Sequence, residues 1–411
     1  MTATEERTTT VQLDPVTFEV LKNSFVNLVD QMSEQMLRTC YSFVIYARDF
    51  SNCLCDANGD TVMQGSQDIA VHVGTLHYSA KAVLEAFPGD LHPGDVIAVN
   101  DPYLGGTHFC DVRIIRPVFH DGRLIALIQT NGHWADVGGR VPGSFDITAR
   151  EHYGEGLRIP PVKIWDKGVY RADVARLLVS NMRLADERLG DLRAQAEATR
   201  IGEDYLRRLI DKYGVETVEA AMAECQNYVE RLTRSRIKEL PQGTWETDDF
   251  FDIDPDKGEG LVRIHVKLTI EGDDLHYDLS GSDPAVGCFL NASYGTGFSS
   301  IVAGHSGLRY FSASHRLIAA DSHIFTPSSP IAKPFSPPVG SNSSRGADWP
   351  AGSISSRRPG GLVCVASTRP PGAITMVLMP GRSRASVRTV PSASRAITRP
   401  RKFADHTTVP A

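Results

Sequence analysis

The sequence predicts an α+β fold with mixed sheets and long helices, followed by a disordered basic tail rich in Pro, Ser and Arg. Long segments have apolar residues at three- and four-residue steps, which predicts helices. Shorter apolar runs flank turn sequences, which predicts hairpins. These helices and strands alternate without a regular β-α-β order, which favours α+β over a parallel α/β fold. With 411 residues, the chain can form two or three domains, or one large core with an appendage.

The first predicted helix begins at Asp14 and Pro15, because Asp is a favoured N-cap residue and Pro a favoured first helical residue. Apolar residues then recur mostly at helical steps as far as about Cys40, which predicts one amphipathic helix. Residues 53–63 alternate around an Asn-Gly sequence, which is a strong signal for a hairpin turn.

The same reasoning predicts the elements that follow. In order they are a helix over 75–87, a strand over 95–99, a hairpin of 112–119 and 124–129, a mainly helical segment over 171–213, a helix over 215–232, and paired strands over 261–270 and 275–279. Gly190 and Gly202 are the expected weak points of the long helical segment, because glycine is an unfavourable residue inside a helix.

Charge is distributed unevenly along the chain. From His305 to the end there are 14 Lys and Arg against 3 Asp and no Glu, a net charge of +11. The preceding part has 29 Lys and Arg against 46 Asp and Glu, a net charge of −17. Binding to nucleic acid depends on neutralising phosphates, so an acidic body argues against nucleic acid as a partner.

Residues 305–411 differ in composition from the rest of the chain. They hold 13 of the 24 Pro, 18 Ser, and 12 Arg against 2 Lys. One interpretation is a disordered basic tail. The other is a shift of reading frame, because GC-rich coding DNA read out of frame gives Arg, Ser, Pro, Ala and Gly together. We therefore expect a folded domain over 1–304, incomplete at its C-terminal end, and a disordered or frameshift-like tail over 305–411.

The chain shows no sign of export or membrane insertion. Its first ten residues are polar and include Glu5 and Glu6, so they do not resemble a signal peptide. No apolar run approaches the ~20 residues that span a bilayer. The seven Cys are an odd number without the spacing of a disulfide framework. We expect a cytoplasmic protein with reduced thiols.

Two loop sequences contain the candidate metal ligands. One runs from Asn100 through Gly-Gly-Thr to His108 and Asp111, and the other includes His133 and Asp136. A turn at the paired glycines can aim the first two side chains in one direction, and the intervening hairpin can bring His133 beside them. Two imidazoles and a carboxylate suit Zn, Fe(II) or Mn(II). The alternative is that these histidines are ordinary hydrogen-bonded loop residues.

Other candidates are weaker when they are considered singly. Asp49, before the first hairpin, is by itself a surface carboxylate. His72 alternates with two valines on an apolar, strand-like segment, where a hydrogen-bonded core histidine is expected. The sequence contains neither the Gly-x-x-x-x-Gly-Lys-Ser/Thr loop that binds ATP phosphates nor a Gly-x-Ser-x-Gly nucleophile elbow.

Several of these motifs, in this order, resemble the hydantoinase B/oxoprolinase family. They are Arg48-Asp49-Phe50-Ser51, the segments 68–74, 100–111 and 131–139, and the later segments 189–195 and 277–282. The resemblance extends from about residue 14 to residue 304. Family members include the second subunits of N-methylhydantoinase, 5-oxoprolinase and caprolactamase, and subunits of acetone and acetophenone carboxylases.

The resemblance implies a divalent metal and a separate, or fused, hydantoinase A-type subunit that binds ATP. The family's ligands would fall on His108, Asp111 and His133, with Asp49 as a further acidic site residue. Family members usually continue well past the Asn-Ala sequence at 291–292. This chain departs from that pattern.

We therefore expect the metal-containing B-type subunit of an ATP-dependent cyclic amidase that opens a hydantoin or lactam ring. Asp49 or Asp136 would be the general base. One alternative is a subunit of an ATP-dependent ketone carboxylase. The other is a truncated, inactive remnant that still binds an A-type partner.

Overall fold

The computed structural model describes residues 11–251 and 261–306, together with two short strands at 363–365 and 374–377. Its helices and antiparallel sheets confirm the α+β class. The helices are α1 (Pro15–Thr39), α2 (Phe43–Tyr46), α3 (Leu76–Ala86), α4 (Ala172–Val179), α5 (Ala185–Tyr213), α6 (Val215–Ile237) and α7 (Tyr294–Ser306). Short 3-10 helices span Ala70–His72, Pro102–Leu104 and His152–Gly154.

The strands form three sheets. They are β1 (Phe50–Asp56), β2 (Thr61–Gln64), β3 (Val96–Val99), β4 (Asp111–His120), β5 (Arg123–His133), β6 (Val162–Asp166), β7 (Val169–Tyr170), β8 (Gly243–Phe251), β9 (Val262–Glu271), β10 (Asp274–Asp278), β11 (Asn291–Ala292), β12 (Val363–Val365) and β13 (Ile374–Val377). The largest sheet has the order β2-β1-β5-β4-β3-β6-β7. All of its neighbouring strands are antiparallel, and the predicted hairpins are β1–β2 and β4–β5.

Helix α1 confirms the predicted start and end. The Asp14 carboxylate accepts hydrogen bonds from the main-chain N–H groups of Val16 and Thr17, both at 3.0 Å, so it is the N-cap. The apolar residues at helical steps form one buried face, comprising Leu21, Phe25, Leu28, Val29, Met32 and Met36. This face packs with α5, α6 and the large sheet in the main hydrophobic core.

The large sheet is covered on both faces. In β4, Ile114 belongs to the main core under α1 and α5, whereas its neighbour Ile115 belongs to a second core under α3. Successive side chains of a strand point to opposite faces, so this division follows from the pleat. The central strands are therefore buried on both faces, and the ends of β4 and β5 are held in fixed positions.

The two predicted weak points do not interrupt α5, which is continuous from Ala185 to Tyr213. A Cβ atom on Gly202 would lie 2.6 Å from the sulfur of Met32 and 2.9 Å from Cγ2 of Ile128. Gly190 likewise has the Tyr41 ring against it. Gly202 lets α5 approach α1 and the sheet closely, and Gly190 leaves room for the Tyr41 ring, so packing outweighs the low helix propensity of glycine.

A smaller sheet of order β10-β9-β8 confirms the predicted strands over 261–270 and 275–279. Strand β8 is not expected from the sequence, because its residues up to Phe250 are exposed and lack an apolar alternation. The third sheet pairs β11 with β13, and β13 with β12. The predicted boundary at residue 304 falls within α7. Residues 307–362, 366–373 and 378–411 of the predicted tail lie outside the described residues, so its disorder stays a prediction.

Candidate metal centre

The β4–β5 hairpin brings two of the candidate ligands together. Asp111 is the first residue of β4, His133 is the last residue of β5, and the two lie opposite each other in the antiparallel register. The turn is made by Asp121 and Gly122, whose φ angles are 48° and 78°. The hairpin expected from the sequence therefore returns the chain to the edge of the sheet where it began.

His108 approaches the same carboxylate from the preceding loop. Gly105 in that loop has a φ of 94°, and a Cβ atom there would lie 2.7 Å from the main-chain nitrogen of Ser79, so the tight turn requires glycine. Nε2 of His108 lies 3.5 Å from Oδ2 of Asp111. Nδ1 of His133 lies 3.9 Å from Oδ1 of the same carboxylate. The three residues singled out in the sequence are thus neighbours in space.

Asp49 lies on the other side of His133. The chain leaves α2 through Arg48, whose φ of 71° redirects it into β1. The main-chain N–H of His133 donates to the Asp49 carbonyl oxygen at 3.1 Å. Nδ1 of His133 is 3.2 Å from Oδ2 of Asp49, whose side chain is 33% exposed. Asp49 therefore borders the cluster instead of being an isolated surface carboxylate.

His72 also belongs to the cluster, which the sequence does not predict. It ends a 3-10 helix and not a strand-like segment. It is the expected buried, hydrogen-bonded histidine, with Nδ1 2.8 Å from Oγ of Ser51. Its Nε2 atom, however, lies 3.2 Å from Oδ2 of Asp111. The signal that could have found it is its place in a motif, residues 68–74, that resembles the family.

Two overlapping groups of possible ligands share Asp111. One is His108, Asp111 and His133, and the other is Asp49, His72 and Asp111. Within each group, the ligand atoms lie within 4.8 Å of one another. Because Asp111 is fully buried, its carboxylate is the fixed centre around which the other four side chains are arranged.

The charges of the cluster are strongly coupled. Burial acts to raise the pKa of Asp111, but His108, His72 and His133 outweigh it and hold that pKa well below its usual range. Burial acts to lower the pKa of His133, but Asp49, Cys110 and Asp111 outweigh it and raise the pKa to about 10. The Asp111 carboxylate is therefore ionised, whereas His133 holds a proton at neutral pH that a bound metal ion would displace.

The side chains fit a divalent metal. Oδ1 of Asp111 is buried and has no hydrogen-bond partner among the described residues, whereas the buried Nδ1 of His133 has a carboxylate oxygen of Asp49 3.2 Å away. Buried polar atoms without a partner are rare and call for an explanation such as an ion. Two imidazole nitrogens and a carboxylate oxygen are a donor set that binds Zn, Fe(II) or Mn(II). Oδ1 of Asp111 and Nδ1 of His133 are of the types that such an ion requires.

A cavity of about 510 Å³ reaches His108 and Cys110. Its walls combine the 102–110 loop, the 144–155 loop and residues 286–293. Aromatic side chains supply much of the lining, namely Tyr103, Phe109, Phe145, Phe251 and Phe289. The cavity is large enough for a small organic ring to reach the edge of the cluster.

The Asp136 carboxylate is occupied by hydrogen bonds within the loop that follows β5 and to Arg183. Its carboxylate accepts hydrogen bonds from the main-chain N–H groups of Gly138, Gly143 and Arg183, and from the Arg183 guanidinium. Burial acts to raise its pKa, but these donors outweigh it and lower the pKa. These contacts organise the loop that follows β5.

Comparison with known proteins identifies the family of this chain. The model of the family described as hydantoinase B/oxoprolinase matches residues 14–309. The chain belongs to this family. The beta subunit of a caprolactamase from Pseudomonas jessenii is 36% identical to it over 71% of this chain and 50% of the relative. The B subunit of a putative D-/L-hydantoinase from Pseudomonas sp. (strain NS671) is 35% identical over 67% of this chain and 48% of the relative.

Two solved structures resemble this member of the hydantoinase B/oxoprolinase family. The crystal structure of ATP-dependent caprolactamase from Pseudomonas jessenii has a TM-score of 0.68 and 34% identity, and the match covers 72% of this chain and 51% of that one. A nucleotide-free acetone carboxylase has a TM-score of 0.66 and 22% identity, covering 71% of this chain and 40% of that one. The second likeness shows a shared fold alone.

The chain spans about half the length of the curated relatives it matches. Among the described residues of this family member, no helix combines the length and the apolar character that a membrane crossing requires.

Proposed function

We propose that this chain is the metal-containing B-type subunit of an ATP-dependent cyclic amidase that hydrolyses a hydantoin or lactam ring. The proposal rests on the cluster of His108, Asp111 and His133, in which Asp111 is buried and His108 lines the cavity. Oδ1 of Asp111 lacks a hydrogen-bond partner among the described residues. Family membership supports the same class of chemistry.

His108, Asp111 and His133 would hold the metal, which we expect to be Mn, Zn or Fe. When bound, such an ion supplies Lewis acidity, which polarises a carbonyl group and activates water. His72 contributes by fixing the carboxylate, because its Nε2 atom is 3.2 Å from Oδ2 of Asp111. Ser51 in turn orients the His72 ring through Nδ1.

Asp49 would be the general base. It borders His133 at 3.2 Å, and its side chain is partly exposed, so water can reach it. It takes a proton from water as the oxygen attacks the ring carbonyl carbon. It returns that proton to the ring nitrogen when the C–N bond breaks. Asp136 is the weaker candidate for this role, because four donors already occupy its two oxygens.

ATP would be used by a hydantoinase A-type partner in a hetero-oligomer. The sequence has no phosphate-binding loop of its own. Matched relatives are named as beta and B subunits, and one solved relative is described as ATP-dependent. The partner would phosphorylate the amide oxygen of the substrate, which makes the carbonyl carbon easier to attack. Breaking the C–N bond would then leave an acyl phosphate, which a second water would hydrolyse to the carboxylate and inorganic phosphate. We place this complex in the cytoplasm.

Reconstitution with an A-type subunit tests the proposal. The mixture should open a hydantoin or lactam ring in proportion to ATP consumed, whereas the chain alone should do neither. Robust ATP turnover by the isolated chain would contradict the assignment of ATP use to the partner subunit.

The complex is also assayed with acetone and bicarbonate. ATP-dependent consumption of the ketone would favour the carboxylase alternative. Partner binding without either activity would favour the inactive remnant.

A further inference from the structure

Helix α7 reaches back to both loops that carry the histidines of the centre. The Ser299 hydroxyl donates to the main-chain carbonyl of Val71, the residue before His72. The same hydroxyl accepts a hydrogen bond from the Gly74 N–H at 3.0 Å. Ser299 thus holds the 3-10 helix that ends at His72 from both sides.

The loop of His108 is held in the same way. The Thr296 hydroxyl donates to the carbonyl of Thr107, the residue before His108, at 3.2 Å. The Ser293 hydroxyl, just before α7, donates to the carbonyl of Gly106 at 2.9 Å. Three hydroxyls, one just before α7 and two within it, therefore bind three carbonyls beside two histidines of the cluster.

These hydrogen bonds are shielded from water. Thr296 and Ser299 are fully buried, and Ser293 is 6% exposed. Aromatic contacts between α3 and α7 add to the attachment, with the Tyr78 and Tyr294 rings 5.5 Å apart in a T-shaped arrangement. A buried carbonyl that loses its donor cannot readily replace it with solvent, so each loop is held in one position.

We propose that Ser293, Thr296 and Ser299 are positioning residues of the metal centre. By fixing the carbonyls of Val71, Gly106 and Thr107, they set the directions from which His72 and His108 approach Asp111. Outer-shell groups of this kind orient the ligands and raise metal affinity. The inference rests on the proposed metal site, but it assigns a role to a helix outside the predicted motifs.

The alternative is that α7 merely packs against the loops. Ser300 offers a matched control on the same helix, since it is 5% exposed and its hydroxyl donates to the Thr296 carbonyl at 2.7 Å, within the helix. Ser300→Ala thus removes a buried hydroxyl from α7 without releasing either loop. Thr296→Val removes the hydroxyl and keeps the shape of the side chain, whereas Thr296→Ser keeps the hydroxyl.

The experiment is a Co²⁺ titration of the metal-stripped full-length chain, followed by visible absorption. Thr296→Val should weaken Co²⁺ binding by about 10- to 100-fold and change the ligand-field bands. Thr296→Ser and Ser300→Ala should bind and absorb like the parent protein. Thermal midpoints of the metal-free variants are measured in parallel. If Thr296→Val does not fold, Ser293→Ala is compared with Ser293→Thr in the same titration.

The outcomes separate the two proposals. A parent protein that binds no Co²⁺ would contradict the proposed metal centre itself. A parent that binds Co²⁺, with Thr296→Val indistinguishable from it in affinity and spectrum, would overturn the positioning role alone. Equal losses in Thr296→Val and Ser300→Ala would also overturn it, because helix packing would then explain both.

Discussion

Asp111 and His133 face each other across the open end of the β4–β5 hairpin, with Oδ1 of the first 3.9 Å from Nδ1 of the second. Nδ1 of His133 has the Asp49 carboxylate 3.2 Å away, whereas Oδ1 of Asp111 is buried without a hydrogen-bond partner in the described part of the chain. Leaving such an atom unpaired costs about 1–3 kcal/mol of stability. A cation bound between these side chains removes that cost, so metal should stabilise the fold as well as support chemistry.

The first prediction concerns metal content. Purified protein should contain close to one equivalent of Mn, Zn or Fe per chain. The double variant His108→Ala/His133→Ala should lose it, because one carboxylate and a neighbouring histidine leave too few ligands for tight binding. Elemental analysis by mass spectrometry measures this directly.

His120→Ala is the matched control, because His120 ends the same strand that Asp111 begins, at the turn of the hairpin. It should keep the full metal content. A double variant at positions 108 and 133 with undiminished metal would remove the ligand assignment.

The second prediction separates the two candidate bases. Asp49→Asn should lower ATP-dependent ring opening by the reconstituted complex ~100- to 10,000-fold, the usual contribution of a general base. Its metal content should stay near that of the parent protein. Asp136→Asn should instead lower the thermal midpoint, because its carboxylate organises the loop around Gly138, Gly143 and Arg183. The reverse pattern would reassign the base to Asp136.

The third prediction concerns pH and stability. Burial raises the pKa of Asp68 from 3.8 to about 7. Between these values the folded protein holds a proton that the unfolded chain releases. The stabilising contribution is therefore complete below about pH 4 and is lost as the pH rises to about 7, with a size on the order of 4 kcal/mol.

Asp68→Asn should remove this dependence. The thermal midpoint of the variant, relative to the parent protein, should rise between about pH 5 and about pH 8. Asp173→Asn is the control, because Asp173 is exposed and pairs with Arg171 on the surface. A constant difference between Asp68→Asn and the parent across this range would show that Asp68 titrates normally.

The fourth prediction tests the close packing of α5. In an exposed helix, replacing Gly by Ala stabilises by about 1 kcal/mol. Gly202→Ala should instead destabilise, by about 1–3 kcal/mol, because its new methyl group meets Met32 and Ile128. Denaturant unfolding measures the difference. A stabilised variant would show that α1 and the sheet can move aside easily.

Local signals explain the elements that the sequence predicts well. Asp14 and Pro15 specify a helix start within two residues, and the turn at Asp121 and Gly122 specifies a hairpin. Once that hairpin is predicted, the proximity of Asp111 and His133 follows from strand pairing. The proximity of His108, Asp111 and His133 could be predicted from the sequence because it depends mainly on one hairpin and the loop before it.

Contacts between distant segments could not be predicted in this way. His72 meets Asp111 only because a 3-10 helix, and not a strand, carries it over the end of β4. The hydroxyls of α7 form common local patterns in the sequence, and their carbonyl partners lie far away along the chain. Asp136 shows the converse case, since hydrogen bonds that organise a loop occupy the carboxylate of a residue in an attractive motif position, and its role as a base stays a prediction.

The position of α7 also matters while the protein is being made. A ribosome completes both histidine loops long before it reaches Ser293, Thr296 and Ser299, and a growing chain folds as its segments emerge. During that interval the carbonyls before His72 and His108 have no α7 to bind. The nascent chain can form its large sheet early, but we expect it to take up metal tightly only after α7 has left the exit tunnel.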